Sequence, residues 1–367
     1  MFYNSTLVLV GGSDCTKIHE YYPQLIYNSL YRTVNGGCLD ILVLRSQNTI
    51  RAVERLTAAF YDLARQQINQ MGKRDIRVTV LLDGRNLELN RKQSWEVIIA
   101  GKYEDDLLSD FRNSLPENCR ILGLPTVIVK MPNNYSTQDP GNRYSSSNRR
   151  PSYAGANGPA YSLNGIVEED EDVNMSDLNR LKSDEDELTK RTKGKDSAGE
   201  WEHDVVAVGG TFDHLHDGHR LLLTVAGYLA KEKLIAGITG SELLVNKKYA
   251  EVLESYLVRR SHVEEFLAYV FPQLEVETIM LHDPAGPTVL VENIDALVVS
   301  RETFKGGLQI NKTRLDKGWK PLIVYDIGML GCVEGNEQNN YMDKLSSTDI
   351  RRLEFERLHI SDQRIQI

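Results

Sequence analysis

The 367 residues carry a formal charge of −9, with 41% hydrophobic and 26% charged residues, an ordinary globular composition long enough for two domains with their own cores. The acidic balance excludes a general nucleic-acid binder, which shows a basic face, although a small anionic ligand would still need a local basic pocket. Cys15, Cys38, Cys119 and Cys332 have no paired or zinc-like spacing, so neither a disulfide framework nor a thiolate metal site is expected, and a reducing compartment fits.

The opening stretch MFYNSTLVLVGGSD has no basic region ahead of a short apolar run, and no later segment is long enough to cross a bilayer. A cytoplasmic protein without membrane contact is expected, with nuclear access left open. TLVLVG, LDILVL, IRVTVLLD and TVIVK read as buried strands, and TIRAVERLTAAFYDLARQQINQMG as an amphipathic helix, so residues 1–130 form a first α/β domain. Gly11-Gly12 follows a strand as a phosphate loop would. No GxGxxG, P-loop or histidine cluster comes after it, so a structural turn is expected, and the domain's role is not readable. Residues 131–200 turn rich in Ser, Asn, Gly, Pro and Tyr and then acidic (EEDED, SDEDE), a composition that cannot bury enough apolar surface to order itself. A disordered, protease-sensitive linker is expected there.

From 201 to 367 strands and helices alternate. Strands are predicted at 205–209, 234–239, 275–281, 295–300 and 321–326, and helices near 217–231, 253–269, 287–293, 306–317 and 347–358. Such alternation gives a Rossmann-like, doubly wound parallel sheet, in which ligands bind beyond the carboxyl ends of the strands. The segments GGTFDHLHDGH, LVNKK, HDPAGPT, SRETFKGG and YDIGM all follow strands.

The stretch VGGTFDHLHDGH holds three of the chain's eight histidines. His216 and His219, three apart at a helix start, share one face above free amides, with Thr211 in the turn below, and Gly218 lets a nucleotide approach the backbone. A zinc reading would need Asp213 or Asp217 as third ligand. It ranks below phosphate binding, because no HExxH-like or cysteine partner exists, and no protein metal site is expected.

GGTFDHLHDGH resembles the first signature of the HxGH nucleotidylyltransferases, and LSSTDIRR near the C-terminus resembles the second. Within that superfamily, VAVGGTFDHLHDGHRLLL, DPAGPT and VVSRETFKGG are similar to the eukaryotic and archaeal phosphopantetheine adenylyltransferase family. The resemblance covers roughly residues 203–360 and leaves the first domain unexplained. It implies adenylyl transfer from ATP to 4′-phosphopantetheine, giving dephospho-coenzyme A and pyrophosphate in coenzyme A biosynthesis, with Mg²⁺ accompanying ATP. It also implies that Thr211 contacts the acceptor phosphate and that His216 and His219 hold the ATP phosphates and the transition state. Lys247 or Lys248 is then the basic residue between the two substrates. Gly209, Gly210, Phe212 and Gly218 fall among the binding positions of the first signature. Ser346, Ser347 and Thr348 match the cluster that binds the β- and γ-phosphates, with Arg351 one turn on, and Arg301 and Lys305 match further phosphate or substrate contacts.

Two rivals stand beside this reading. One is another HxGH enzyme, a cytidylyltransferase or a nicotinamide mononucleotide adenylyltransferase; the RTEG that precedes the second motif of cytidylyltransferases is missing here. The other is a non-catalytic nucleotide-binding scaffold. No GxxxxGK[ST] occurs, so the kinase that would complete coenzyme A is not expected in this chain, and other enzymes of the pathway are the expected partners.

Overall fold

Apolar runs bounded by turn residues form ten strands among the described residues of the computed structural model, which are 1–11, 19–44, 49–82, 94–117, 119–130, 202–328 and 346–365. The linker expected at 131–200 lies outside them. The first half runs β1 (Tyr3–Val10), α1 (Tyr22–Arg32), β2 (Thr33–Val43), α2 (Ile50–Gln70), β3 (Arg77–Leu82), β4 (Val97–Gly101), α3 (Asp105–Ser114) and β5 (Thr126–Val129). The second runs β6 (His203–Gly210), α4 (Asp217–Leu229), β7 (Ala230–Thr239), α5 (Tyr256–Val270), β8 (Glu275–Leu281), β9 (Ala296–Ser300), α6 (Phe304–Asp316), β10 (Ile323–Ile327) and α7 (Ser347–Ile365).

Each half builds one five-stranded sheet, ordered β3-β2-β1-β4-β5 and β10-β9-β6-β7-β8, and all paired strands are parallel. Counted from its own first strand, each sheet has the same order. The chain therefore repeats one doubly wound topology, and each repeat has a crevice where the order reverses, between β1 and β4 and between β6 and β9. The expected α/β architecture is present, in two copies.

Helix α2 shows how the halves join. Thr49 caps it through Oγ1, which accepts from the amide of Ala52 at 3.2 Å. Val53, Leu56, Phe60, Ala64 and Ile68 then recur at helical spacing and are buried. The cluster they enter also contains Val8 of the first sheet, Leu223 of α4 and Val206 and Val208 of the second sheet. Residues 1–131 and 189–367 thus form one compact unit. Ala207 points the other way from Val206 and Val208, joining Leu297, Val299, Ile310 and Val324 in a smaller cluster under α6. No helix among the described residues is long and apolar enough to cross a membrane.

Candidate active site

Strand β6 ends in Gly209-Gly210, and the turn after it is sharply bent. Phe212 and His214 both take left-handed backbone (φ 52 and 46), a conformation that costs a non-glycine residue roughly 1–2 kcal/mol and persists only where neighbours impose it. The Phe212 ring is fully buried and folds back on the strand, where a Cβ on Gly210 would lie 3.1 Å from it. Glycine at 210 therefore makes room for a ring of this same loop.

Asp213, fully buried, organises the turn. Its Oδ1 accepts from the amide of Glu254 at 2.9 Å, and its Oδ2 accepts from Arg351 of α7 in a buried ion pair. Its carbonyl accepts from the Ser347 hydroxyl at 3.0 Å. The two motifs, more than a hundred residues apart in sequence, are thereby held against each other. Arg259, buried at the start of α5, donates to the carbonyls of Thr211 (2.7 Å), Thr239 (2.9 Å) and Glu254 (3.1 Å), tying β6, β7 and α5 together. His214 belongs to this framework, with Nε2 3.0 Å from the carbonyl of Val252.

His216 caps α4: its Nδ1 accepts from the Gly218 amide at 3.2 Å, so in the neutral ring the proton sits on Nε2. His219 stacks on it, ring centroids 3.9 Å apart and 22° from parallel, with the edge of Phe212 at 5.4 Å. Burial first, then the nearby His216, Arg220 and Lys247, hold His219 well below the usual imidazole range, so it is neutral at pH 7. Its Nδ1 is buried with no hydrogen-bond partner among the described residues. Asp217, the first residue of α4, sits where the helix dipole favours a negative charge.

Ser346 and Asp349 form a reciprocal cap at the start of α7. The Asp349 amide donates to Ser346 Oγ at 3.2 Å, and Ser346 Oγ donates to Asp349 Oδ2 at 2.6 Å. Thr348 Oγ1 accepts from Arg351 at 3.2 Å. The hydroxyls of this motif are thus engaged with the protein, while the amides of Ser347 and Thr348 have no intrahelical acceptor. Arg351 likewise bonds Asp213, Thr348 and the carbonyl of Lys248 (2.9 Å), so all three guanidinium nitrogens face protein acceptors.

Lys247 and Lys248 are both exposed in the loop after β7, and the charge of Lys247 adds to those that disfavour protonation of His219. Arg301 and Lys305 are exposed beyond the end of β9, the strand next to β6 across the crevice; Arg301 Nε lies 3.7 Å from Asp326 of β10. A cavity of about 600 Å³ lies on the side of this turn that faces the first sheet, lined by His214, Leu215, Arg220, Phe266, Tyr269 and Arg77 among others. Neither His216 nor His219 lines it.

The equivalent crevice of the first sheet is filled by protein. Buried Glu104, just after β4, accepts from the Gly11 amide at 3.3 Å and from the hydroxyls of Tyr21 and Tyr22. A carboxylate stands there where a phosphate would bind, and burial pushes the Tyr21 hydroxyl far above the ordinary phenol range. In the second sheet the turn after β6 instead brings His216 and His219 together at the start of α4.

A family model described as cytidylyltransferase-like matches residues 207–353, the span from β6 to α7. Phosphopantetheine adenylyltransferase of Methanosarcina mazei is 44% identical over 123 residues, 33% of this chain and 77% of that protein. The chain belongs to the phosphopantetheine adenylyltransferase family. The phosphopantetheine adenylyltransferase of Saccharomyces cerevisiae is 46% identical over 168 residues, 46% of this chain and 53% of that one. An uncharacterized protein of Schizosaccharomyces pombe is 39% identical over 165 residues, 45% and 52% of the two chains. The chain thus spans about half the length of these two yeast relatives. In this member of the phosphopantetheine adenylyltransferase family, Arg259, the framework role of Asp213, and Arg65 of α2, which donates to Asp217, were not legible as parts of the site. Arg259 and Arg65 lie on helices, far in sequence from the motifs they hold, and only Asp213, inside the signature, offered a signal.

Proposed function

We propose that the chain transfers the adenylyl group of ATP to 4′-phosphopantetheine, forming dephospho-coenzyme A and pyrophosphate. The observation that carries this reading is the convergence of the two motifs: the start of α7 is bonded to the turn that places His216 and His219. The similarity to named phosphopantetheine adenylyltransferases supplies the substrates.

An oxygen of the acceptor's phosphate monoester attacks the α-phosphorus in line, a P–O bond forms, the bond to the bridging oxygen breaks, and pyrophosphate departs with the electron pair. No covalent enzyme intermediate is needed, so positioning and charge neutralisation suffice. Neutral His219, and His216 through Nε2, donate hydrogen bonds to non-bridging oxygens. Lys247 supplies a positive charge beside them, Thr211 holds the acceptor phosphate, and the amides of Ser347 and Thr348 receive the leaving pyrophosphate. Arg301 and Lys305 contact phosphate from the β9 side. Mg²⁺ belongs to this scheme as part of the ATP complex, where it shields phosphate charge. We place the reaction in the cytoplasm and expect the product to pass to other enzymes of coenzyme A biosynthesis.

The test is direct. Pure protein with MgATP and 4′-phosphopantetheine should yield dephospho-coenzyme A and pyrophosphate in equal amounts by mass spectrometry, and chelation of Mg²⁺ should stop it. CTP as donor, or nicotinamide mononucleotide or phosphocholine as acceptor, should give little product. Turnover of one of these instead of 4′-phosphopantetheine would replace the reading, and no transfer to any acceptor would end it.

A further inference from the structure

The motifs assign nothing to the first half of the chain, yet one of its helices touches the site at two places. Arg65, in the last third of α2, donates through Nε to Asp217 Oδ2 at 2.8 Å and through Nη2 to Asp217 Oδ1 at 2.9 Å, a two-pronged bond between side chains 27% and 14% exposed. Asp217 lies between His216 and Gly218 and opens the helix that carries His219. Near its other end, α2 presents Arg51, which donates to the carbonyl (2.7 Å) and Oδ1 (2.6 Å) of Asp326, while Glu54 accepts from the Gly328 amide at 2.6 Å. Asp326 and Gly328 lie at the carboxyl end of β10, and Arg301 approaches the same Asp326. Arg51 and Arg65 are roughly 21 Å apart along a helix rising 1.5 Å per residue, so one rigid element is fixed both to the start of α4 and to the far edge of the second sheet's ligand-binding end.

We propose that α2 is a positioning strut for adenylyl transfer, and that Arg65 acts through Asp217 to set the orientation of the His216–His219 pair. The inference rests on the reaction proposed above. A planar guanidinium bonded to both oxygens of a carboxylate fixes direction as well as distance. Asp217 has little freedom of its own at the first position of α4, so its direction is that of the backbone between the two imidazoles. A part-exposed ion pair of this kind contributes little to stability, whereas a displacement of about 1 Å in a positioned group can slow a reaction on the order of a hundredfold. Arg65 is accordingly a residue whose loss is felt in rate far more than in folding.

Arg65→Met keeps the aliphatic stem and removes both bonds, Asp217→Asn weakens the same contact from the other side, and Arg65→Lys restores charge with one bond. Expected are a fall in kcat of about ten- to a hundredfold for the first two, KM for ATP within about twofold, a melting temperature within a few degrees, and an intermediate rate for Arg65→Lys. The double variant should be no slower than the slower single one, because both changes break one contact. Independently of activity, the imidazole nitrogen resonances of His216 and His219 should shift in Arg65→Met and Asp217→Asn. Unchanged imidazole signals, or kcat within about twofold of wild type in a folded Arg65→Met protein, would overturn the proposal, as would multiplying effects in the double variant. Should Arg65→Met not fold, the same comparison made with Arg65→Lys decides. If wild type makes no dephospho-coenzyme A while the imidazole signals do move, the reaction is wrong and the strut stands.

Discussion

Arg351 and Asp213, one from each motif, form an ion pair in which both side chains are almost wholly buried. Such a pair gives little net stability compared with a well-packed apolar substitute, but removing one partner strands a buried charge, at a cost of roughly 3–5 kcal/mol. Arg351→Met is therefore expected to lower the urea midpoint strongly and to abolish adenylyl transfer by releasing α7 from the turn. A variant with unchanged stability would show that the two motifs are held together by something else.

In the proposed reaction His219 serves at the phosphates as a neutral hydrogen-bond donor. Replacing it by alanine removes one preorganised donor, a loss of on the order of 3 kcal/mol in the transition state, or about a hundredfold in kcat. ATP affinity, measured by equilibrium titration, should change by no more than a few fold. Near-normal turnover would contradict the mechanism.

The adjacent lysines separate cleanly by their surroundings. Lys247 acts electrostatically on His219, whereas Lys248 is held through its backbone carbonyl by Arg351. Lys247→Ala should reduce kcat at least about tenfold more than Lys248→Ala, whose main-chain bond survives the change. Equal effects of the two substitutions would remove Lys247 from the transition state.

Gly218 is constrained by a side chain. A Cβ there would lie 3.1 Å from Cε1 and 3.2 Å from Nδ1 of His216, so Gly218→Ala must turn the imidazole and lengthen its bond to the amide of residue 218. A drop in rate with a nearly unchanged melting temperature is expected, since alanine is the better helix residue by about 1 kcal/mol. Full activity would mean that the orientation of His216 is unimportant.

The depressed ionisation of His219 also predicts an acid-side cost. The unfolded chain binds a proton there near the ordinary value of 6.5, while the folded chain binds it only at lower pH. Between those two points the unfolded state holds more protons, and stability rises with pH. Wild type should lose stability on acidification below about pH 6.5, and His219→Gln should lose less over the same interval. Urea titrations at several pH values measure the difference, and parallel curves would show that the imidazole is not desolvated.

Much of the architecture was legible because it is local. Period-two and period-3.6 apolar runs placed all five strands of the second sheet, and α2 of the first half, close to where they lie. Other elements were missed for the same reason. β4 is five apolar residues, too short for periodicity to distinguish strand from helix, α1 opens on Tyr22-Pro23, and α3 is largely polar. The histidine pair stood out by its spacing around Gly218 at a helix start, whereas the hydroxyls of Ser346, Ser347 and Thr348, which alone read as an ordinary helix cap, were singled out by the resemblance to the family's second signature.

What the sequence alone determined, then, is the alternation of elements and the residue types at the two helix starts, because both depend on neighbours within a turn or two of chain. The tertiary structure decided which polar groups are held by other parts of the protein. Arg351 turned inward to Asp213, Ser346 closed a cap, Glu104 filled the first crevice, and Arg65 reached across to Asp217. Each of these depends on a charged or polar group meeting a partner brought near by packing. An arginine on a polar helix stripe reads the same whether it faces water or a carboxylate 152 residues away, and only the desolvation and geometry of the folded chain distinguish the two.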